Sequence, residues 1–280
     1  MASVSRDRIA VSTWSLHRLL GSTYPHDLST PEVGEEQQTY GAGEESLLGL
    51  PSVLANHGYH RLEIVSFHLR SRDPVYLGEL RDQLRIANVR LQTLLIDAGD
   101  ITDPVYGERD LRWIAGWLQT ANELGAENAR IIAGKQAPTP ETLGRAVQGL
   151  RTLAEINSGS PARLVTENWF DLLSGPEHVH ALLDRLEGRV GLLGDFGNWK
   201  GPGKYADLAS IFSRAELCHA KASFTDGALD EEDYGQCVQL AEAAGYRGPY
   251  TLIFDSQAPA EWRGLQLERD FITAQESGSV

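Results

Sequence analysis

The sequence predicts an α/β fold, a (β/α)8 TIM barrel built as a single domain over residues 1–280. Three observations predict it. Eight short runs rich in Val, Ile and Leu recur along the chain. A segment with apolar residues at helical spacing follows each run. No linker, low-complexity stretch or charge block interrupts the alternation. Apolar runs without clean alternation mark parallel strands covered on both faces. Repeated strand–helix units imply right-handed crossovers about a parallel sheet, and eight of them suit a closed barrel. The rival is an open doubly wound sheet. Its first turn would carry GxGxxG, whereas the first run here is followed by HRLLGST.

The strands are expected at 9–16, 61–69, 89–97, 128–134, 163–169, 190–196, 216–223 and 250–255. The helices are expected at 47–57, 75–87, 111–124, 140–156, 176–186, 205–212, 231–244 and 258–274. Gly58 and Gly125 stop the first and third of these. Thr139-Pro140-Glu141 reads as an N-cap with proline in the first helical position. Segment 21–43 breaks the pattern. It is polar, acidic and rich in Gly and Pro, and it lies between the first strand and the first helix, on the face where barrels build active sites. It predicts a lid or an insert.

Composition narrows the partners. The net charge of −14 disfavours nucleic acid and anionic membrane, and favours a small neutral substrate and a cation. No run of apolar residues is long enough to span a bilayer, and the N-terminus lacks the apolar core of a signal peptide. Cys218 and Cys237 form no disulfide framework, so a reducing cytoplasm is expected. A homodimer is the default assembly.

Four apolar runs end in a metal-liking side chain. They are RLVTENW at Glu167, GLLGDFGNW at Asp195, ELCHAKASF at His219 and YTLIFDSQ at Asp255. In a barrel these residues come from neighbouring strands and point to one mouth. Carboxylates with one imidazole suit one divalent ion, Mn2+ before Mg2+, Co2+ or Zn2+. Taken singly, each has a plainer explanation. Asp195 before Phe-Gly-Asn can make a turn, and a lone histidine is commonly a satisfied core residue. Trp14, Trp169 and Trp199 fall near strand ends, where they can stack on a sugar ring or serve the core. Segment 198–204, with two lysines and two glycines, can grip a phosphate or lie solvated.

ENW, LLGDFGN, CHAK and a terminal carboxylate on the last four strands resemble the xylose isomerase-like TIM-barrel superfamily. That superfamily includes sugar phosphate isomerases/epimerases, ketose 3-epimerases, inosose dehydratases and, more distantly, endonuclease IV. IAVSTWSL and GYHRLEIV resemble its first two strands. The resemblance implies Glu167 as ligand and acid/base, Asp195 and His219 as ligands, and Asp255 in place of the second acid/base and ligand, usually a glutamate. It implies substrate contacts by Lys221, Asn198 and His68, and Glu63 as a substrate ligand or a brace for the site. His68 resembles a zinc histidine of endonuclease IV, but Asn198 and Ala220 stand where further ligands of that cluster are wanted. The implied activity is metal-dependent isomerisation or epimerisation of a sugar, sugar phosphate or polyol through an enediolate. A dehydratase or C-glycoside lyase is the alternative on the same scaffold. A non-catalytic barrel with a decayed site is the alternative from another class.

Overall fold

The computed structural model describes residues 4–274. Its strands, in chain order, are β1 (Ile9–Ser12), β2 (Arg61–Val65), β3 (Arg90–Ile96), β4 (Asn128–Ile131), β5 (Arg163–Glu167), β6 (Gly191–Asp195), β7 (Ala215–Lys221), β8 (Phe224–Thr225), β9 (Ala228–Leu229) and β10 (Tyr250–Ile253). Eight of them close into a parallel barrel in which β1 pairs with both β2 and β10. The short strands β8 and β9 form an antiparallel hairpin above β7 that the sequence did not announce.

The helices are α1 (His17–Leu20), α2 (Leu50–Asn56), α3 (Pro74–Ile86), α4 (Gly107–Leu124), α5 (Pro140–Ile156), α6 (Pro176–Leu186), α7 (Lys204–Phe212), α8 (Glu231–Ala243) and α9 (Glu261–Thr273). Proline opens α3, α5 and α6. At α5 the Thr139 hydroxyl accepts from the Thr142 N–H, completing a reciprocal cap. Helix α4 closes on Gly125 in the left-handed conformation (φ 74°). It starts at Gly107 rather than at the expected 111, because the Asp103 carboxylate accepts from Val105 and Tyr106 N–H and turns the chain into the helix early. None of the helices among the described residues is long and apolar enough to cross a membrane.

Several strands are shorter than their apolar runs suggest. The expected strand at 9–16 stops at Ser12, whose hydroxyl accepts from Trp14 N–H at 3.2 Å and starts a 3-10 turn over Thr13–Leu16. The second stops at Val65 and turns over Ser66–His68. Most buried apolar side chains lie between barrel and helices. A smaller cluster (Val65, Leu95, Val165, Leu193 and Leu217) packs inside the barrel. Buried polar side chains share the interior, with Gln92 bridging Glu63 and Thr251.

Segment 21–43 is pinned at its base and in its middle. Thr23 and Gln37 form a β-bridge, and Tyr40 N–H donates to Gly21 O at 2.9 Å. His26 sits against Trp113 and Trp117, with ring centroids at 4.8 and 4.9 Å, and its Nε2 meets Ser66 Oγ at 2.8 Å. Burial and the nearby Arg72 push the His26 pKa down to about 4, so the ring is neutral. His17 is likewise buried and packs on Tyr40 at 4.0 Å.

One buried group works against the fold. Glu268 on α9 is fully buried, neither carboxyl oxygen has a hydrogen-bond partner among the described residues, and burial holds its pKa well above the ordinary value of 4.5. In the unfolded chain the same carboxyl ionises near that value. Folding must therefore take up a proton once pH exceeds it, and stability falls as pH rises toward the folded value. Glu268→Leu is expected to raise unfolding free energy by about 1–3 kcal/mol near neutral pH, with a smaller gain in mild acid. Urea midpoints in the two buffers measure this.

Candidate active site

The C-terminal ends of the strands line a cavity of about 110 Å3. Glu167 closes β5 and Asp195 closes β6, while His219 lies opposite Asp195 in the β6–β7 register. All three are buried, and one ligand atom from each lies within 4.8 Å of the others. His219 Nδ1 is 3.6 Å from both Glu167 Oε1 and Asp195 Oδ2.

The surroundings fix these atoms. Asp195 Oδ1 accepts from Gly197 N–H at 2.6 Å and Asn198 N–H at 2.8 Å, making the turn that DFGN suggests. The aspartate thus turns the chain with one oxygen and faces the histidine with the other. Gly197 has a packing reason as well: a Cβ there would lie 2.8 Å from the Lys221 side chain. Asn168, the residue after β5, holds the Asp195 backbone, accepting its N–H at 2.7 Å. Asn198 Nδ2 donates to Glu167 Oε1 at 2.8 Å. On the far side of the imidazole, Nε2 donates to Glu63 Oε2 at 2.9 Å. Glu63 is itself held by Gln92 and Thr93, both at 2.8 Å. A carboxylate on the remote ring nitrogen selects the tautomer that leaves Nδ1 free, as in metal-bound histidines.

A buried arginine completes the site. Arg130 on β4 pairs with Asp97 and lies 3.1 Å from Glu167 Oε2 through Nε. Its guanidinium also stands 5.2 Å from the Trp169 ring centroid. Burial alone would raise the Glu167 pKa, but Arg130 and His219 overcome it and hold the carboxyl at about 2. Burial opposes the charged form of His219 too, yet Glu63 and Glu167 push its pKa well above the ordinary value. Three buried carboxylates (Glu63, Glu167 and Asp195) and the partly buried Asp97 thus face one guanidinium and one imidazole. This surplus of negative charge, with an oxygen-rich donor set, fits a divalent cation.

The other expected site residues divide. Trp14, Trp169, Asn198 and Lys221 line the cavity. Glu63 lies beneath it, bracing His219. Asp255 stands apart from the triad. Strand β10 ends at Ile253, opposite Lys221, and it is the Ile253 side chain that lines the cavity. Asp255 is two residues further on, exposed, and accepts from Lys221 Nζ at 3.0 Å. Trp199 is buried in the core, where its indole N–H donates to Leu173 O at 2.9 Å. His68 is buried behind the wall, against Thr13 Oγ1 at 2.9 Å. Lys204 is taken by both oxygens of Asp233, at 2.5 and 2.8 Å, which removes one of the two lysines of a phosphate grip. No residue of segment 21–43 lines the cavity.

Sequence reasoning passed over Arg130 and Asp97. Their signal was present: a lone charge within the apolar run NARI, and a carboxylate ending LQTLLID.

The profile of the xylose isomerase-like TIM barrel family matches residues 51–272. The chain belongs to this family. Solved structures agree on the fold. A D-allulose 3-epimerase from Methylomonas sp. is 16% identical with TM-score 0.65, over 99% of each chain. A 3-keto-D-glucoside 4-epimerase from E. coli is 15% identical with TM-score 0.63, over 80% of this chain and 94% of its own. A xylose isomerase-like TIM barrel protein from Mycobacterium smegmatis, in complex with magnesium, is 16% identical with TM-score 0.65, over 94% of this chain and 95% of its own. No curated protein matches the chain.

Proposed function

We propose that this family member is a divalent-metal-dependent isomerase or epimerase of a sugar or related polyol, acting through an enediolate of the substrate. The observation that carries the reading is the convergence of Glu167, Asp195 and His219 in one cavity, with Glu63 on the far nitrogen of the histidine. Family membership and the sugar epimerases among the structural neighbours support it. Mn2+ is the favoured ion, and the magnesium complex of one neighbour fits a hard divalent cation.

The ion, when bound, supplies positive charge to vicinal substrate oxygens and makes the hydrogen beside the carbonyl more acidic. Glu167 takes that proton. Its depressed pKa keeps it ionised at any ordinary pH. Arg130 holds the Glu167 carboxylate in place from the β4 side. Trp14 and Trp169 offer aromatic faces to the ring. Lys221 lines the cavity and can hold a substrate oxygen, with Asp255 fixing its ammonium at the mouth. In an isomerase or epimerase the proton is returned from this Lys221–Asp255 side. The capture of Lys204 by Asp233 favours a free sugar over a sugar phosphate. Segment 21–43, anchored through His26, is proposed as a fixed wall beside the mouth in preference to a moving lid.

The presence of Ile253 in the cavity favours a second reading. An elimination takes one proton from carbon and returns none to it: Glu167 would take the proton, and the departing group would leave with a proton from Glu167 or from Lys221, which lines the same cavity. A dehydratase or C-glycoside lyase therefore needs no acid at the position of Ile253.

The test is solvent-deuterium exchange. Mn2+-loaded protein is incubated in D2O with ketoses, inososes and glycosides and followed by NMR. Deuterium beside the carbonyl with a rearranged sugar supports isomerisation or epimerisation, and an unsaturated product supports elimination. Glu167→Gln should slow either by about 100- to 10,000-fold. Metal-loaded protein that exchanges none of them points to a decayed barrel.

A further inference from the structure

Asp97, Glu167 and Asp195 are the carboxylates that line the cavity, and Asp97 alone of them lies outside the cluster of possible ion ligands. It follows β3 directly, and its N–H donates to Ser66 Oγ at 3.5 Å. Its pairing with Arg130 is through Oδ1, which is buried. The side chain is nevertheless 11% exposed, and among the described residues no hydrogen bond reaches Oδ2. One oxygen of Asp97 is thus spent on the arginine, and the other stands at the cavity wall.

A brace for Arg130 does not need this arrangement. Glu167, at 3.1 Å from Nε, already balances the guanidinium charge. Asp97 adds a further negative charge to a desolvated wall, and burial raises its pKa against the pull of Arg130. A neutral acceptor would serve the arginine at lower cost. A carboxylate with a free oxygen facing the cavity is suited to take a donor from there.

The neighbours select the donor. An ammonium would meet Arg130 and Lys221, and a carboxylate or phosphate would meet Glu167 and Asp97 itself. A hydroxyl is opposed by neither sign of charge. Its place on the substrate follows from the wall. Glu167 turns Oε2 to Arg130 and Oε1 toward His219 and Asn198. Asp97 lies beyond the arginine, two strands from Glu167 in the barrel order. Neighbouring strands stand about 4.8 Å apart, so a group held at Asp97 is not on the carbon from which Glu167 takes its proton.

We propose that Asp97 is a specificity-determining residue, whose Oδ2 accepts from a hydroxyl on a substrate carbon outside the reacting pair and so selects a polyhydroxylated chain or ring of more than three carbons. This rests on the sugar reading of the triad.

The test is ligand-proton relaxation by Mn2+-loaded full-length protein, for the parent and Asp97→Asn. The ligands are D-fructose, D-tagatose and D-sorbose, with dihydroxyacetone as the three-carbon comparison. The amide keeps the shape and an acceptor for Arg130, and loses the charge that strengthens a hydrogen bond from a hydroxyl. In the parent, one of the ketohexoses or more should bind at least about tenfold tighter than dihydroxyacetone. Asp97→Asn should weaken that ketohexose about tenfold and leave the affinities for dihydroxyacetone and Mn2+ unchanged. A residue that only braces Arg130 would move all of them together, because Arg130 holds Glu167. The proposal is overturned by a parent that prefers no ketohexose to dihydroxyacetone. It is equally overturned by a ketohexose affinity that Asp97→Asn leaves alone, or by a loss shared with dihydroxyacetone or Mn2+. A parent that holds no Mn2+ overturns the triad reading and this proposal with it, whereas the other results overturn this proposal alone.

Discussion

Replacing Arg130 by Met is expected to lower the unfolding free energy of the metal-free protein by about 3–5 kcal/mol in urea denaturation. The guanidinium is 3% exposed and lies between Asp97, which is partly buried, and Glu167, which is buried. Without it two carboxylates face each other in the barrel mouth, with Asp195 and Glu63 close by. Asp97, whose pKa burial already raises against the pull of Arg130, would take up a proton. The loss depends on pH in a fixed direction. Glu167 is held at about 2 against an ordinary 4.5. Its ionised form therefore stabilises the fold above 4.5, and that contribution disappears as pH falls toward 2. The gap between parent and variant should narrow over the same interval. It should also narrow on adding Mn2+, which gives Glu167 another positive partner. Arg130→Lys should recover only part of the loss, because an ammonium cannot span both carboxylates as the planar fork does. A variant as stable as the parent would show that the arginine is not a brace.

Glu63→Gln is expected to weaken divalent-ion binding by about 10- to 100-fold. Glu63 touches no cavity surface, so the effect must pass through His219. The carboxylate accepts from Nε2 at 2.9 Å and commits the ring to the tautomer with Nδ1 free. An amide of the same shape holds that tautomer less firmly and removes a negative charge beside the ion. Gln92 and Thr93 now donate to a single carboxylate oxygen, and either can donate to the amide oxygen instead. The cost in fold stability should thus be about 1 kcal/mol, well below the effect on the ion. Calorimetric titration with Mn2+ and urea denaturation of the metal-free protein separate the two. Equal losses in both would mean that Glu63 only supports the fold.

The fold was legible because each unit carries its own signal: an apolar run too short for a helix, then a helical face with a proline start or a glycine stop. The three residues that converge in the candidate site were legible for the same reason. Glu167, Asp195 and His219 each follow an apolar run on neighbouring strands, and parallel pairing leaves them little choice of where to meet. Asp255 shows the limit of counting. Phe254 prolongs the apolar run by one residue, but pairing with β7 ends at Ile253, so the aspartate falls beyond the strand and turns to Lys221. Trp199 shows another. A tryptophan after a strand end looks like a ring platform, and only the acceptor at Leu173 O reveals a core residue. The partnership of Asp97, Arg130 and Glu167 spans three strands, and a pairing of that kind leaves no spacing rule in the chain. Segment 21–43 has the composition of a mobile insert. Its anchorage depends on His26 finding Trp113 and Trp117, far away in sequence.

Metal content tests the central claim most directly. Protein purified without chelators or affinity metal is analysed by elemental mass spectrometry, beside a Glu167→Ala/His219→Ala double variant. The account predicts about one divalent ion per parent chain, with Mn2+ restoring it where purification has stripped it, and none in the folded double variant. No metal in the parent after incubation with Mn2+, or an equal amount in both proteins, would contradict it.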